Sequence, residues 1–182
     1  MRTTHRTKLL TATAAAVGMV ALAAGPALAG PGDTTTTFTL AGNGLSVSVP
    51  STANLSSVGS TAIGATSLSG SLGSISVTDN RGGLAVTWTA TVASTDFTTG
   101  AASTHETITK TNVGYTPGTV TGTGIGVAVG TVAPSLATSV PVVAATGVTG
   151  AESASWSPTV TVTVPTGSVA GTYTGTLTHS VA

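Results

Sequence analysis

The sequence predicts an all-β protein, an antiparallel β-sandwich with one face of each sheet buried. Short runs that alternate apolar and hydroxyl side chains recur along the chain, which is the pattern of strands with one buried face. Helical periodicity is almost absent after the N-terminal leader. Several short strands at regular spacing favour an immunoglobulin-like, Greek-key type of sandwich with roughly seven to nine strands.

The first residues resemble a secretory signal peptide. Arg2, Arg6 and Lys8 precede an uncharged run rich in alanine and leucine at 9–25, and Ala27-Leu28-Ala29 has the small-x-small pattern of a cleavage site. The alternative is a membrane anchor, which the alanine-rich run and the cleavage pattern disfavour. We therefore predict that the signal peptide is cleaved after Ala29.

Residues 30–182 have the length of one domain, which we interpret as a single β-sandwich that is secreted and is extracellular or associated with the cell wall. The three basic residues of the leader are lost on cleavage, so the remainder carries a net charge of about −3. This charge argues against nucleic acid as a partner. No membrane span is expected after cleavage. The absence of cysteine excludes disulfides and thiol chemistry.

The most informative stretch predicts a β-hairpin. Residues 75–77 and 84–92 alternate in polarity, and the turn Asp79-Asn80-Arg81-Gly82-Gly83 separates them. A second hairpin is expected near the start of the domain, where 37–40 and 45–49 flank an Asn-Gly turn.

The last forty residues carry the clearest alternation. Val160 and Val162 share one parity and Thr159, Thr161 and Thr163 share the other, which predicts a strand with an outward ladder of hydroxyls. The glycines recurring after residue 121 do not have phosphate-loop spacing and are interpreted as strand or loop glycines.

Four features in order resemble the WxL-type cell-surface domains of Gram-positive bacteria. They are Leu45-Ser-Val-Ser-Val-Pro50 before a loop with Asn54-Leu55, Val77-Thr-Asp79-Asn-Arg81-Gly82 before Trp88, Ser155-Trp156, and Val164-Pro165 before Ala170-Gly171-Thr172-Tyr173-Thr174. The resemblance covers nearly all of residues 30–182 and diverges at the Trp-x-Leu motifs, which read Trp88-Thr89-Ala90 and Trp156-Ser157-Pro158. It implies an exported domain that associates non-covalently with the cell wall, with peptidoglycan as the expected polymer.

Four residues are candidates for a wall-binding or structural motif. Trp88 and Trp156 could stack on sugar rings, but they share the parity of neighbouring apolar residues, which favours the core. Asp79 and Arg81 could bind a ligand or calcium, yet bridging their own turn is the stronger interpretation.

No catalytic, cofactor or metal site is predicted. His105 and His179 lack the spacing of a zinc site, and the five acidic residues after the leader do not cluster in sequence. The leading hypothesis is a non-enzymatic module that binds peptidoglycan or another surface protein. Self-association into a surface layer or fibre is the alternative, because uncharged strand edges readily pair. A small-ligand carrier is a third possibility, disfavoured by the scarcity of aromatic residues.

Overall fold

The structure is a computed structural model that describes residues 36–55 and 64–182; the predicted signal peptide lies outside them. Contacts group the chain into Met1–Thr39 and Leu40–Ala182, and all the strands lie in the second unit. The strands are β1 (Leu45–Ser48), β2 (Ser67–Ser71), β3 (Ile75–Asp79), β4 (Val86–Ser94), β5 (Phe97–Thr98), β6 (Thr107–Ile108), β7 (Val113–Thr116), β8 (Thr121–Gly130), β9 (Val140–Trp156), β10 (Thr159–Thr163) and β11 (Leu177–Val181).

All strand pairs are antiparallel, as the sequence predicts. The largest sheet has the order β1-β3-β9-β4-β11, with β8 paired to the other edge of β9. The ends of this order, β1 and β11, approach each other, so the sheet nearly closes like a barrel. A second sheet has the order β2-β10-β7, and β5 pairs with β6.

The long strand β9 organises the large sheet. Its C-terminal part pairs with β3 and its N-terminal part pairs with β4, while β8 runs along its opposite edge. Between the two parts, Gly147 and Gly150 have φ values of 73° and 77°, a region that glycine adopts without steric cost. These glycines allow β9 to change direction, so that one strand serves two partners in succession.

The prediction that the two strands within 75–92 pair with each other as a hairpin is wrong. β3 and β4 form as strands, but each pairs with β9 instead of with the other. The connection is held to β9 by the hydrogen bond from Gly150 N to Gly83 O, 2.9 Å long. Leu84, expected inside the strand, is 82% exposed because β4 begins only at Val86.

The first predicted hairpin is also absent. Residues 37–40 are not a strand, and β1 pairs with β3. Hydrogen bonds from Asn43 N to Asn80 O and from Asn80 N to Gly44 O, both 2.7 Å, extend this pairing beyond β1. The Asn-Gly turn therefore attaches the start of the unit to the β3–β4 connection.

The apolar residues form two clusters. One fills the concave side of the large sheet and comprises Ile75, Val77, Trp88, Ala90, Val143, Ala145, Val148, Ala154 and Trp156. The other is shared by the second sheet and one end of the large sheet and includes Val92, Val113, Tyr115, Val142, Val160 and Val162. Each valine or isoleucine buried in this way contributes about 1.5–3 kcal/mol. The alternation of β10 is confirmed, with both valines buried and the three threonines exposed.

Two complete 3₁₀ turns, Thr104–Glu106 and Lys110–Asn112, lie within the described residues, which contain no α-helix. Among residues 36–55 and 64–182, no helix has the length and apolar character needed to cross a membrane.

Candidate functional site

Asp79 and Arg81 form an ion pair that closes the β3–β4 connection. Arg81 Nε donates to Asp79 Oδ1 at 2.9 Å and Nη2 donates to Oδ2 at 2.7 Å, a two-pronged geometry that guanidinium and carboxylate favour. Nη2 also donates to Thr87 O at 2.8 Å, at the start of β4. The pair therefore links the end of β3 to β4 across the connection.

The electrostatics of the pair follow from this geometry. Asp79 is fully buried, and its hydrogen bonds from the Arg81 side chain lower its pKa below the usual value in spite of that burial. The same contact raises the pKa of Arg81. Both carboxylate oxygens of Asp79 accept hydrogen bonds from Arg81, so this carboxylate stabilises the connection between β3 and β4.

Glu152, which the sequence analysis did not single out, lies directly opposite Asp79 in the β3–β9 ladder. Its side chain is buried, and neither of its carboxylate oxygens has a hydrogen-bond partner among the described residues. Burial raises its pKa, and the charge of Asp79 adds to the rise. An added Cβ at Gly126 of β8 would overlap Glu152 Oε2, so glycine leaves the space that this carboxyl group occupies.

Asp79 and Glu152 are thus far apart in sequence, as the sequence analysis notes, but the β3–β9 ladder brings them together. The sequence did contain a signal for the burial of Glu152. Glu152 lies at alternate positions with Ala154 and Trp156, which are on the buried face of β9. The carboxyl oxygens of Glu152 are shut off from solvent, so the pair in this arrangement presents no accessible acid or base. Within the described part of the chain, no three His, Cys, Asp or Glu side chains converge as a metal site would require.

Both tryptophans lie in the core. Trp88 and Trp156 are 2% and 3% exposed, so neither indole presents a face to a sugar ring. Trp156 Nε1 donates to Tyr115 Oη at 2.8 Å, which connects the two apolar clusters. The indole nitrogen of Trp88 has no such partner among the described residues. The structure therefore places these two residues where the core interpretation expects them.

A buried polar chain continues from Trp156 to the last strand. His179 Nε2 lies 3.2 Å from Tyr115 Oη, and the two rings are 5.6 Å apart. Because burial raises the pKa of Tyr115 to about 12, its hydroxyl keeps its proton and can donate it to Nε2. Burial also lowers the pKa of His179, which favours the neutral ring that accepts this bond.

Replacing Tyr115 with phenylalanine removes the acceptor of Trp156 and the donor to His179. We expect a loss of about 1–3 kcal/mol in the free energy of unfolding, the cost of leaving buried polar groups unpaired. Urea denaturation at pH 8 measures it. Thr116→Val, an exposed change on the same strand, is the control and should cost less than about 0.5 kcal/mol. Equal losses for the two variants would contradict a role for the hydrogen bonds.

The surface formed by residues 40–55 and 64–182 includes two open depressions with polar linings. One, of about 310 Å³, is lined by Thr78, Asn80, Thr123, Ala151, Glu152 and Ser153. Its hydroxyls are partly satisfied within the protein, since Thr123 Oγ1 and Ser153 Oγ are 2.6 Å apart.

The second depression, of about 240 Å³, lies beside β7 and β10, and we call it the threonine depression. Its lining residues are Thr111, Asn112, Gly114, Tyr115, Thr116, Val132, Ala133, Pro134, Thr161 and Thr163. None of these side chains is charged. Among the described residues, the hydroxyls of Thr116, Thr161 and Thr163 have no hydrogen-bond partner, so they are available to a ligand.

Comparison of the chain with family models, curated proteins and solved structures finds no match. The resemblance to WxL-type domains therefore stays a prediction from the motifs. Asp79 and Arg81, two of the residues that carry it, act on each other in the structure, and Trp88 and Trp156 pack in the core. Of the two depressions, the threonine depression has more hydroxyl groups without a hydrogen-bond partner among the described residues.

Proposed function

We propose that this protein is an exported, non-catalytic cell-surface domain that associates non-covalently with cell-wall peptidoglycan. The observation that carries the proposal is the threonine depression, a concave, uncharged surface with free hydroxyls from β7 and β10. The WxL-type resemblance of the sequence supports peptidoglycan as the polymer. Surface proteins of the wall are the alternative partner.

The chemistry of the depression suits a glycan. Each threonine hydroxyl can donate one hydrogen bond and accept two, which matches the hydroxyl and acetamido groups of wall sugars. Val132 and Pro134 add apolar surface beside these hydroxyls, against which the C–H faces of sugar rings can pack. Such binding depends on short-range contacts, so it needs no positive charge on a domain that is weakly acidic.

Export and a sandwich architecture belong to the same proposal. The leader 1–29 supports cleavage and secretion. The second sheet, β2-β10-β7, shares an apolar cluster with the large sheet, which supports two layers of an immunoglobulin-like, Greek-key sandwich within 30–182. N-terminal sequencing of the protein recovered from culture medium or cell walls tests the cleavage after Ala29.

Substitution of Thr161 with valine tests the depression directly. Valine keeps the shape and the strand preference of threonine but removes the hydroxyl. We expect Thr161→Val to weaken binding to insoluble peptidoglycan by about 2- to 10-fold, corresponding to one hydrogen bond of roughly 0.5–1.5 kcal/mol. Co-sedimentation over a range of peptidoglycan concentrations measures the change.

Thr159→Val is the matched control, because Thr159 is exposed on the same strand and the same face but does not line the depression. It should bind like the parent. If Thr161→Val binds as well as the parent, or if both variants lose binding equally, the threonine depression is not the binding surface.

A second candidate function, self-association of copies into a surface layer or fibre, is favoured by a different observation. Among residues 36–55 and 64–182, no strand pairs with the outer edge of β8.

A further inference from the structure

Strand β8 pairs with β9 along one edge only. Its ten residues, Thr121–Gly130, form the longest strand at any border of the large sheet. Among the described residues, no backbone group hydrogen-bonds to its other edge. Two register shifts lie between Thr123 and Val127, and a Cβ placed on Gly130 would lie 3.2 Å from Val120 Cγ2, so β8 curves back on itself. Its regular open edge is residues 127–130, roughly 13 Å long.

The direction of the backbone groups on this edge can be assigned. Thr131 N donates to Val142 O at 2.7 Å, and the register from 127 to 130 against β9 is regular. Since alternate residues of a strand point their N–H and C=O groups to opposite edges, those of Ala128 and Gly130 point away from β9. They are open to another strand.

The other borders of the sheets are less open. β1 has four residues and is followed by Pro50, and it lies near β11 at the point where the large sheet nearly closes. The border of the second sheet at β7 is occupied by the following loop, through the Tyr115–Ala133 bridge and the bond from Leu136 N to Val113 O. β8 lacks such protection among the described residues.

The stretch of sequence that contains β8 carries no charge, although the buried carboxyl group of Glu152 in β9 packs against β8 at Gly126. From Thr111 to Ala151 the sequence contains no Asp, Glu, Lys, Arg or His. Charged side chains are a common means by which proteins prevent edge strands from pairing, and here they are missing. Val129, near the C-terminal end of the strand, is 57% exposed.

We propose that the β8 edges of two copies of this chain pair antiparallel across a twofold axis and form one continuous sheet. A second copy is the fitting occupant because an antiparallel strand edge is complementary to itself under twofold symmetry. The copies share a net negative charge outside the leader, and this uncharged border lets them approach without bringing like charges together. The exposed Val129 of each copy loses solvent contact beside the joined edges. The proposal goes beyond wall association and does not depend on it.

Ala128→Pro tests the pairing. Proline removes the outward N–H of residue 128 and places its ring on the edge, where it blocks a second strand while leaving the bonds to β9 in place. Sedimentation velocity of the full chain over a range of concentrations, without wall material, measures the monomer–dimer equilibrium. We expect a dimer of the parent chain and at least a ten-fold higher dissociation constant for Ala128→Pro. A parent chain that stays monomeric at every concentration overturns the proposal.

A second variant keeps the test decisive if Ala128→Pro fails to fold, which far-UV circular dichroism reports. Val129→Lys puts a positive charge beside the edge in both copies, so it should also raise the dissociation constant at least ten-fold at low salt. Val169→Lys changes another exposed valine, 42% exposed in the loop before β11; it is the matched control and should dimerise like the parent. If Val129→Lys dimerises like Val169→Lys, the β8 edge is not the interface. Binding to peptidoglycan, measured separately, tells failure of this proposal from failure of the wall-binding proposal.

Discussion

Replacing Trp156 with alanine is expected to lower the free energy of unfolding by about 3–5 kcal/mol, the largest effect of any single change considered for this chain. Its indole is buried in the large sheet and donates to Tyr115 in the neighbouring cluster. The substitution therefore opens a cavity and also removes the hydrogen bond that joins the two clusters. Urea denaturation followed by far-UV circular dichroism measures the loss.

A comparison with Trp88 separates the contribution of the buried ring to stability from the contribution of its hydrogen bond. Trp88 is buried to the same extent, but its indole nitrogen has no partner among the described residues. Replacement of either tryptophan with phenylalanine removes similar volume, while only Trp156→Phe breaks a hydrogen bond. We expect Trp156→Phe to cost about 1 kcal/mol more than Trp88→Phe. Equal costs would show that the bond to Tyr115 contributes nothing to stability.

Replacing Glu152 with glutamine is expected to stabilise the protein at neutral pH, because the amide stays uncharged whereas the carboxyl group must ionise in a buried site next to Asp79. Because the folded protein raises the pKa of Glu152 above 4.5, folding is most favourable when this group is protonated. The parent chain therefore loses stability as the pH rises from 4.5 through the pKa of the folded state. Glutamine cannot lose a proton, so the variant keeps that stability.

The measurement is the urea midpoint of the parent and of Glu152→Gln between pH 3 and pH 8. The two curves should meet below pH 4.5 and separate above it. Asp79, whose pKa is lowered, destabilises both proteins as the pH falls below 3.8, and His179, whose pKa is also lowered, does so below 6.5. The His179 contribution is common to both proteins and cancels in the difference between the curves. The Asp79 contribution is confined to the region below pH 3.8, so the comparison is read above that pH.

Glu106→Gln is the matched control for this pH dependence. The Ser103 backbone amide donates to the Glu106 carboxylate at 3.0 Å and is the main reason that the Glu106 pKa is lowered. Its contribution to stability is therefore present above pH 4.5 and lost as the pH falls. The sign of the difference should be opposite to that of Glu152→Gln. A stability difference for Glu152→Gln that does not change with pH would contradict a buried carboxyl group with a raised pKa.

The local alternation of apolar and polar residues was sufficient to predict a strand that buries only one face. The alternation of valine and threonine at 159–163 predicted β10, its buried valines and its exposed threonines, because side chains alternate between the faces of a strand. The interaction of Asp79 with Arg81 could be predicted for a similar reason, since both residues lie within one short segment. The two threonines of the depression that come from β10 follow from the same alternation.

The sequence alone did not predict which distant segments pair. The sequence around 75–92 suggests a hairpin, but β9 is long enough to pair with both strands in succession, and it begins more than forty residues after β4 ends. The same distance hides the approach of Glu152 to Asp79 and of Trp156 to Tyr115. In each case, the chemistry of one partner depends on a residue that only the fold brings near.

The most direct test of the wall-binding account is co-sedimentation of the full chain with insoluble peptidoglycan, freed of other polymers, at low and at high salt. Because the threonine depression contains no charged side chain, the account predicts that the chain pellets and that the bound fraction is the same at both salt concentrations. Failure to pellet, or pelleting that disappears at high salt, would contradict it.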